Sequence, residues 1–437
     1  MKLRNFMYAT MIACAFASCS KDDVVEPDNG TPSAKGTFIE VRAQNPISQT
    51  KAAGDPTVED AINTLTMVVF GSDNKVEAIE TTTPGEGGAM SRKVAVSAGS
   101  KKVLMVANAP LTGIEVGSSY SDIAGLTRSR ADENATNGFS MSSKLYDATV
   151  ELNKTTFLGY ADYPTNYSAA NSILESEDNA GVKLYRNVAK VVLANVAVTN
   201  EKGDFTNYSN PNVVIKEVFI MNAKSTSSIV PTSGANHWEA TTTTSPWLAG
   251  VAANTSWTNA DRFKLASTWT QAGYLIDNVE GDTEIGYKGD GLETATTAFA
   301  ETPFYVYENG SEALATASEK TLLVVKADVT YDTKDGRETA ANRYYTLAIG
   351  RTGFDTVTDK GYAAPNDNFP YASRSVEGIN GAAANKALDV LRNLQYNVNL
   401  TIKGMGYDQP GGGDPEQFLD VKVQVVAFGE VDQDVEI

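Results

Sequence analysis

Side chains that could perform nucleophilic, acid–base or metal chemistry are scarce in this sequence. The 437 residues include one histidine, His237, and two cysteines, Cys14 and Cys19. A single imidazole disfavours both a Ser-His-Asp hydrolase and a multi-histidine metal site. Paired carboxylates can hydrolyse glycosides, but surface acids are so abundant here that such pairs are unavoidable, and nothing marks one pair as buried. We therefore expect no catalytic residues, no metal site and no cofactor.

The charge balance narrows the choice of partners. The chain has 36 Lys and Arg against 54 Asp and Glu, a formal net charge of −18, and no run of basic residues. This balance argues against nucleic acid and against an anionic membrane surface. A hydrophobic content of 42% indicates a globular protein, and the length is typical of two or three domains with substantial cores.

Residues 1–18 have the features of a bacterial export signal. Two basic residues precede an apolar stretch over residues 6–17, which is too short to span a bilayer core of about 30 Å. Small residues then lead into Cys19, in a pattern that is similar to a lipobox. We expect Cys19 to be acylated and to anchor the precursor to the outer membrane. An ordinary signal peptide with an incidental cysteine is the alternative.

The remainder of the chain reads as short strands separated by Gly, Pro, Asn, Asp and Thr. Some segments alternate at period two and others are short β-branched runs, a pattern typical of antiparallel β-sandwiches. Strands are expected over residues 37–43, 65–70, 102–107, 188–198, 213–221, 303–307, 322–330, 344–349, 396–402 and from 419 onwards. Short helices are expected at residues 57–63, 121–128 and 383–392.

A domain boundary is expected near residue 180, after an acidic, turn-rich stretch. The predicted organisation is a signal peptide at 1–18, a lipidated tether with a removable strand at 19–51, and two sandwich domains at 52–180 and 181–437. Residues 236–270 resemble an insertion that holds all four Trp. Spaced Trp in a polar loop favour anchoring of the loop over a sugar-stacking platform.

The C-terminal segment alternates between apolar and polar residues in one phase over residues 419–437. Because strands usually run about 5–6 residues, one sandwich has difficulty using all of it. We expect residues 419–428 to complete the subunit and residues 429–437 to form a donor strand for a neighbour, with Val431, Val435 and Ile437 on its apolar face. Two strands of one domain joined at Gly429 are the alternative. A calcium site on the polar face is disfavoured, because alternate residues of a strand splay apart.

The first predicted strand has Ile39 and Val41 on one face and is followed by an open stretch at residues 44–56. Within that stretch Lys51 precedes Ala52, which is a reasonable site for a trypsin-like protease. Cutting there would sever the lipid anchor and allow the first strand to leave. The vacated position would then be an open groove for the amphipathic tail.

Taken in order, these features resemble the fimbrillins of Bacteroidetes, the shaft subunits of type V pili, and within them the major subunits of short fimbriae. The resemblance rests on the lipobox, on the basic-Ala cut site, and on residues 65–70, 103–110, 186–192, 304–309 and 393–404. It implies two transthyretin-like β-sandwich domains, export as a lipoprotein, removal of the first strand and assembly by donor-strand exchange. The family's usual cut follows arginine, whereas this chain has Lys51. Arg42, inside the predicted strand, is the alternative cut site.

The predicted function is a non-catalytic subunit that polymerises with identical copies into a cell-surface fimbria and supports adhesion. Its expected partners are those copies, a trypsin-like processing protease and accessory anchor or tip subunits. Two other functions remain open: a monomeric surface-anchored glycan-binding lipoprotein that uses residues 236–270, and a tip or anchor subunit. A tip subunit would need no donor tail, so the alternating C-terminal segment favours a shaft subunit.

Overall fold

The computed structural model describes the chain in segments, and most of the regular secondary structure in them is β-strand. The described residues are 36–44, 62–82, 90–133, 137–160, 162–164, 167–175, 182–200, 203–221, 223–224, 226–230, 275–277, 283–286, 293–295, 303–308, 321–349, 390, 392–408 and 419–427. Within them the one α-helix is α1 (Tyr120–Ala124). No helix in this part of the chain is long and apolar enough to cross a bilayer.

The first half of the chain forms two sheets. The β1 sheet contains β1 (Phe38–Gln44), β4 (Met90–Ala95), β9 (Thr155–Leu158), β10 (Ser172–Glu175) and β11 (Val182–Lys183). The β5 sheet contains β2 (Leu65–Phe70), β3 (Val76–Thr82), β5 (Gly99–Ala107), β7 (Met141–Ser142), β8 (Tyr146–Val150) and β12 (Tyr185–Arg186). Apolar side chains from both sheets form one hydrophobic core.

The second half repeats this arrangement. The β13 sheet contains β13 (Val188–Val198), β18 (Glu293–Ala295), β19 (Phe304–Tyr307), β22 (Leu394–Ile402) and β23 (Leu419–Ala427). The β14 sheet contains β14 (Ser209–Met221), β16 (Leu275–Asp277), β17 (Thr283–Gly286), β20 (Leu322–Thr333) and β21 (Gly336–Ala348). These two sheets share a second core. Most neighbouring strands are antiparallel, but β1 with β9, β9 with β10, β1 with β11, and β13 with β22 run parallel.

Strand β2 shows how the sequence leads to this packing. All six residues of LTMVVF are buried. Met67 and Val69 face the core shared with the β1 sheet, whereas Val68 packs on the opposite face with α1 residue Ile123 and with Val230 from the second half of the chain. A strand that is covered on both faces requires a continuous apolar run, which is what residues 65–70 provide.

The change from the first pair of sheets to the second falls between Arg186 and Val188. Residues 182–186 pair with β1 and β7, and β13 then begins the next sheet. This is a few residues after the predicted boundary at 180, and the division into two domains remains a prediction. The two halves are also linked by a small antiparallel strand pair, in which β15 (Thr226–Ser228) of the second half pairs with β6 (Thr127–Ser129) of the first.

The expected helix over residues 121–128 is wrong at its C-terminal end. Helix α1 ends at Ala124, where the Gly125 N–H donates to the Ser121 carbonyl, and residues 127–129 form strand β6. At its start, the Ser119 backbone N–H donates to the Asp122 carboxylate at 2.7 Å, and this hydrogen bond lowers the pKa of Asp122. Most of residues 57–63 and 383–392 lie outside the described part, and the few described there are not helical.

A buried polar cluster joins the two halves. We call it the junction cluster, and it consists of Arg130, Glu133, Ser140, Asn187, Tyr307, Glu308 and Arg392. All of these side chains are buried. Its members form a chain of hydrogen bonds. Each bond gives a buried polar group the partner that it needs away from water.

The series runs from one half of the chain to the other. Arg392 pairs with Glu308 at 2.8 Å and donates to Asn187 at 2.9 Å. Asn187 donates to the Ser140 hydroxyl at 2.9 Å, and Ser140 donates its backbone N–H to Glu133 at 2.6 Å. The Tyr307 hydroxyl completes the link by donating to Glu133 at 2.9 Å. Because each group depends on the next, the junction cluster fixes the position of the linking residues 186–188.

Breaking the ion pair of the junction cluster should destabilise the fold strongly. Glu308→Gln leaves the Arg392 guanidinium buried without its carboxylate, which typically costs about 3–5 kcal/mol of unfolding free energy. The matched control is Asp332→Asn, which breaks the equally short but exposed pair with Arg337 (2.8 Å) and should change stability little. Chemical denaturation of the unsubstituted protein and of both variants measures these effects. Equal losses of unfolding free energy in the two variants would contradict this account.

Candidate functional site: the position of the first strand

Strand β1 is a central strand, although it is the first strand of the described chain. Along one edge it pairs antiparallel with β4, from Phe38 opposite Ala95 to Ala43 opposite Met90. Along the other edge β9 runs parallel to Phe38–Val41, and β11 continues the pairing at Ala43 and Gln44. Both rows of backbone hydrogen-bonding groups are therefore used by neighbouring strands.

The inner face of β1 contributes directly to the first core. Ile39 and Val41 are 0% exposed and belong to the same apolar cluster as Val94 of β4 and Leu158 of β9. Burying side chains of this size stabilises a fold by roughly 1.5–3 kcal/mol each. Ile39 and Val41 share one face of β1, as the sequence predicts, and that face lies against the core.

The outer face of β1 carries a buried acid. Glu40 is 8% exposed, and its two carboxylate oxygens accept hydrogen bonds from the hydroxyls of Tyr160 at 3.0 Å and Tyr167 at 2.9 Å. Lys93 lies directly opposite Glu40 on β4, and its ammonium is 3.4 Å from the Tyr167 hydroxyl. We call Glu40, Lys93, Tyr160 and Tyr167 the Glu40 cluster.

Aromatic packing holds the two tyrosines in place. The ring of Phe157, on β9, meets the rings of Tyr160 and Tyr167 edge-on, with centroids 5.4 and 4.7 Å apart. Phe157 is 0% exposed. Edge-to-face pairs of this kind add stability beyond the buried area. The tyrosine hydroxyls are thus positioned by residues that do not belong to β1.

The start of β1 is tied to the loop before β9. The Phe38 backbone N–H donates to the Lys154 carbonyl at 2.9 Å, and the Asn153 backbone N–H donates to the Thr37 hydroxyl at 2.8 Å. On the side of β4, the Val96 N–H donates to the Thr37 carbonyl at 3.2 Å. The strand is therefore fixed at its first residue as well as along its length.

One link between the facing sheets does not involve β1. Glu175, at the end of β10, accepts a hydrogen bond from the Thr149 backbone N–H of β8 at 2.8 Å. Burial raises the pKa of Glu175, and this hydrogen bond acts in the opposite direction. The edge of the β1 sheet is thereby joined to the β5 sheet independently of the first strand.

This arrangement suits the reception of an extended strand. Without β1, strands β4 and β9 would each present an unpaired edge, and the space between them would be lined by apolar side chains below and by Lys93, Tyr160 and Tyr167 above. An open edge and a row of pockets for alternate side chains are what strand addition requires.

The C-terminal segment is partly described. Strand β23 pairs antiparallel with β22 along its whole length, from Leu419 opposite Ile402 to Ala427 opposite Leu394. Residues 419–427 thus complete the β13 sheet of the chain itself. Val431, Val435 and Ile437 lie outside the described residues.

Other predicted features also lie outside the described part of the chain. These are the lipidation site Cys19, the cut site at Lys51 and Ala52, His237 and the Trp-rich residues 236–270. The roles assigned to these residues from the sequence therefore remain predictions.

The Glu40 cluster was missed by the sequence reasoning. A glutamate between two apolar β-branched residues reads as the solvent-facing position of an alternating strand. The available signal was the spacing of Tyr160, Tyr163 and Tyr167 soon after the strand at Phe157, because closely spaced aromatics in a loop often cover a sheet face.

Comparisons with known proteins identify relatives that span the whole chain. A family model described as major fimbrial subunit protein (FimA) matches residues 38–186. The chain is 23% identical to the major fimbrium subunit FimA type-3 of Porphyromonas gingivalis over 100% of both chains, and 25% identical to its FimA type-5 over 99% of both.

Solved structures of related description are similar to this chain over most of its length. A putative cell adhesion protein from Parabacteroides distasonis is similar with a TM-score of 0.57 and 25% identity, over 90% of this chain and 98% of that one. A fimbrilin from Porphyromonas gingivalis is similar with a TM-score of 0.50 and 19% identity, over 91% and 99% of the two chains. The likeness confirms the predicted all-β fold, and the arrangement is consistent with two sandwiches.

Truncating the inner face of β1 should weaken the uncut chain. Ile39→Ala removes fully buried atoms from the first core and should lower the unfolding free energy by about 2–5 kcal/mol. Arg42→Ala is the control, because its side chain is exposed on the same strand. Denaturant unfolding of the uncut protein measures the difference. A loss for Ile39→Ala no greater than that of the control would show that β1 contributes little to the core.

Proposed function

The chain belongs to the fimbrillin family of Bacteroidetes, and from this premise we propose how it is exported, cut and polymerised. It is a structural subunit of a cell-surface fimbria. In our proposal the precursor is a lipoprotein anchored through Cys19, a trypsin-like protease cuts after Lys51, and β1 leaves. The donor strand at residues 429–437 of another copy then fills the vacated groove.

The position of β1 is the observation that carries the proposal. A first strand at the edge of a sheet could leave without consequence, but β1 is bonded along both edges and buried on its inner face. Its removal would expose backbone groups of two strands together with part of a core. Such a subunit has a strong tendency to accept a replacement strand.

The C-terminal tail has the alternating pattern of that replacement. Val431, Val435 and Ile437 share one face of the tail, as Ile39 and Val41 share the inner face of β1. The tail follows β23, which already completes a sheet of its own chain. In our proposal, residues 429–437 therefore pair with a second subunit.

The pairing of β1 favours Lys51 over Arg42 as the cut site. The Arg42 backbone is paired with Ser91 of β4 inside the β1 sheet, and proteases bind chain that can be drawn out in extended form. Lys51 comes seven residues after Gln44, the last residue of β1. A cut there separates β1 from the rest of the subunit, whereas a cut before β1 leaves it attached.

Cutting changes the competition between the two strands. Before the cut, β1 is tethered to its own groove, and the effective concentration of a short tether is in the millimolar range. Afterwards β1 is a separate peptide that becomes diluted once it leaves. The donor strand of a second copy can then occupy the groove in its place, and identical subunits become the partners of a homopolymer. Accessory subunits would anchor and terminate it.

Removing the basic residue at the cut site should prevent assembly. In Lys51→Gln, trypsin would no longer release β1, so the chain should remain monomeric after treatment. Lys35→Gln is the matched control, because residue 35 precedes β1 and a cut there cannot free the strand. Oligomer ladders on unheated gels, with mass spectrometry of the new N-terminus, provide the measurement. Ladders from Lys51→Gln equal to those of the unsubstituted chain would exclude this cut site.

Deleting residues 431–437 should abolish polymerisation without unfolding the subunit. The deleted residues follow β23, so the cut chain should keep its fold but have no donor strand to offer. Mixing it with the unsubstituted cut chain should cap growing ladders and shorten them. Ladders from the deleted chain alone, as long as those of the intact chain, would show that the donor strand is not the C-terminal tail.

A further inference from the structure

The Glu40 cluster imposes a chemical requirement on any strand that replaces β1. When β1 leaves, Glu40 leaves with it, whereas Lys93, Tyr160 and Tyr167 belong to other segments and stay. Two hydroxyl donors and an ammonium then lie at one position of the groove. A replacement strand with a carboxylate at that position restores both hydrogen bonds, and one without it forgoes them.

The residues on either side of that position set a second requirement. Ile39 and Val41 are both 0% exposed, so the replacements for both must be apolar. An uncharged amide at either place would bury polar atoms in a hydrocarbon core at a substantial cost. The groove therefore selects the pattern apolar–acid–apolar at positions 39, 40 and 41.

One triplet of the donor strand satisfies this pattern. Glu436 lies between Val435 and Ile437, whereas Asp432 and Asp434 each border Gln433. The remaining acid of the donor strand, Glu430, follows Gly429 and therefore has an apolar side chain on one side only. The triplet Val-Glu-Ile is also the reverse of Ile39-Glu40-Val41, so the match holds whether the donor runs parallel or antiparallel to the original strand.

We propose that Glu436 of an incoming subunit takes the place of Glu40, accepts the hydroxyls of Tyr160 and Tyr167, and thereby fixes the register of the donor strand. This inference rests on the proposed function, because it requires that the tail enters the groove of β1. It assigns Lys93, Tyr160 and Tyr167 as the carboxylate receptor for a second copy of the chain.

Competing registers fail for identifiable reasons. A shift by one residue would turn the acids into the core and the apolar residues outwards, which the alternation of a strand forbids. A shift by two residues, with Asp434 at position 40, would place Gln433 at one of the two fully buried positions in either strand direction. With Glu436 at position 40, Gln433 takes the position of Thr37 in a parallel donor, where the original buried side chain is already polar, or that of Ala43 in an antiparallel one.

The test compares two acids of the same tail. Full chains with Glu436→Gln or Asp434→Asn lose one carboxylate each and carry the same net charge, but only the first loses the proposed contact. After cutting and assembly, the dissociation rate of the polymer is followed in detergent at a fixed raised temperature. Glu436→Gln should dissociate about tenfold faster than the unsubstituted polymer, and Asp434→Asn within about twofold of it.

A double-mutant cycle identifies the receptor. In chains with Tyr160→Phe and Tyr167→Phe, Glu436→Gln should have a much smaller further effect on the dissociation rate, because both hydroxyl partners of the carboxylate are already absent and only Lys93 remains. If this acceptor does not fold, the proposed register is tested by the comparison of Glu436→Gln with Asp434→Asn in the unsubstituted acceptor.

The outcomes separate the two proposals. Equal dissociation rates for Glu436→Gln and Asp434→Asn, in polymers that form normally, overturn the register while leaving donor-strand exchange in place. A full effect of Glu436→Gln in the Tyr-to-Phe acceptor overturns the assignment of the receptor. Failure of the unsubstituted cut chain to polymerise overturns donor-strand exchange and the register together.

Discussion

A central strand must be bonded along both edges and covered on its inner face, and this constraint governs the first half of the molecule. Strand β1 meets it by pairing with β4 on one side and with β9 and β11 on the other. An empty position between these strands would leave two rows of N–H and C=O groups without partners and would expose the core beside Ile39 and Val41. The position therefore has to be occupied, either by the chain's own first strand or by an equivalent one.

The proposed exchange requires that the position persists while its occupant changes, and several contacts of the fold would support this. Strand β2 is covered on both faces, and its outer face packs against residues from the second half of the chain. Glu175 joins β10 to β8 without involving β1. The junction cluster, from Arg392 through Asn187 to Glu133, holds residues 186–188 with buried hydrogen bonds. None of these contacts uses β1, so a subunit without its first strand keeps a framework around the groove.

The sequence predicts the parts of this design that depend on local patterns. The apolar runs at residues 65–70 and 188–198 coincide with β2 and β13, and the alternation around Ile39 and Val41 identifies the buried face of β1. It does not predict that β1 pairs in parallel with β9, because those residues lie more than a hundred positions apart and no local signal specifies a partner at that distance. For the same reason Glu40 reads as a solvent-facing acid until Tyr160 and Tyr167 are seen to cover it.

The acidity of the subunit affects how polymer growth depends on salt. After the proposed removal of residues 1–51, the chain would keep a formal net charge of −19, so approaching subunits would repel one another. At physiological ionic strength that repulsion is screened beyond about 8 Å, whereas the contacts of a strand inside the groove are shorter and largely buried. Within the proposed joint, Lys93 also places a positive charge beside the position that receives the carboxylate. Salt should therefore speed the encounter of subunits much more than it changes the stability of the joint once it has formed.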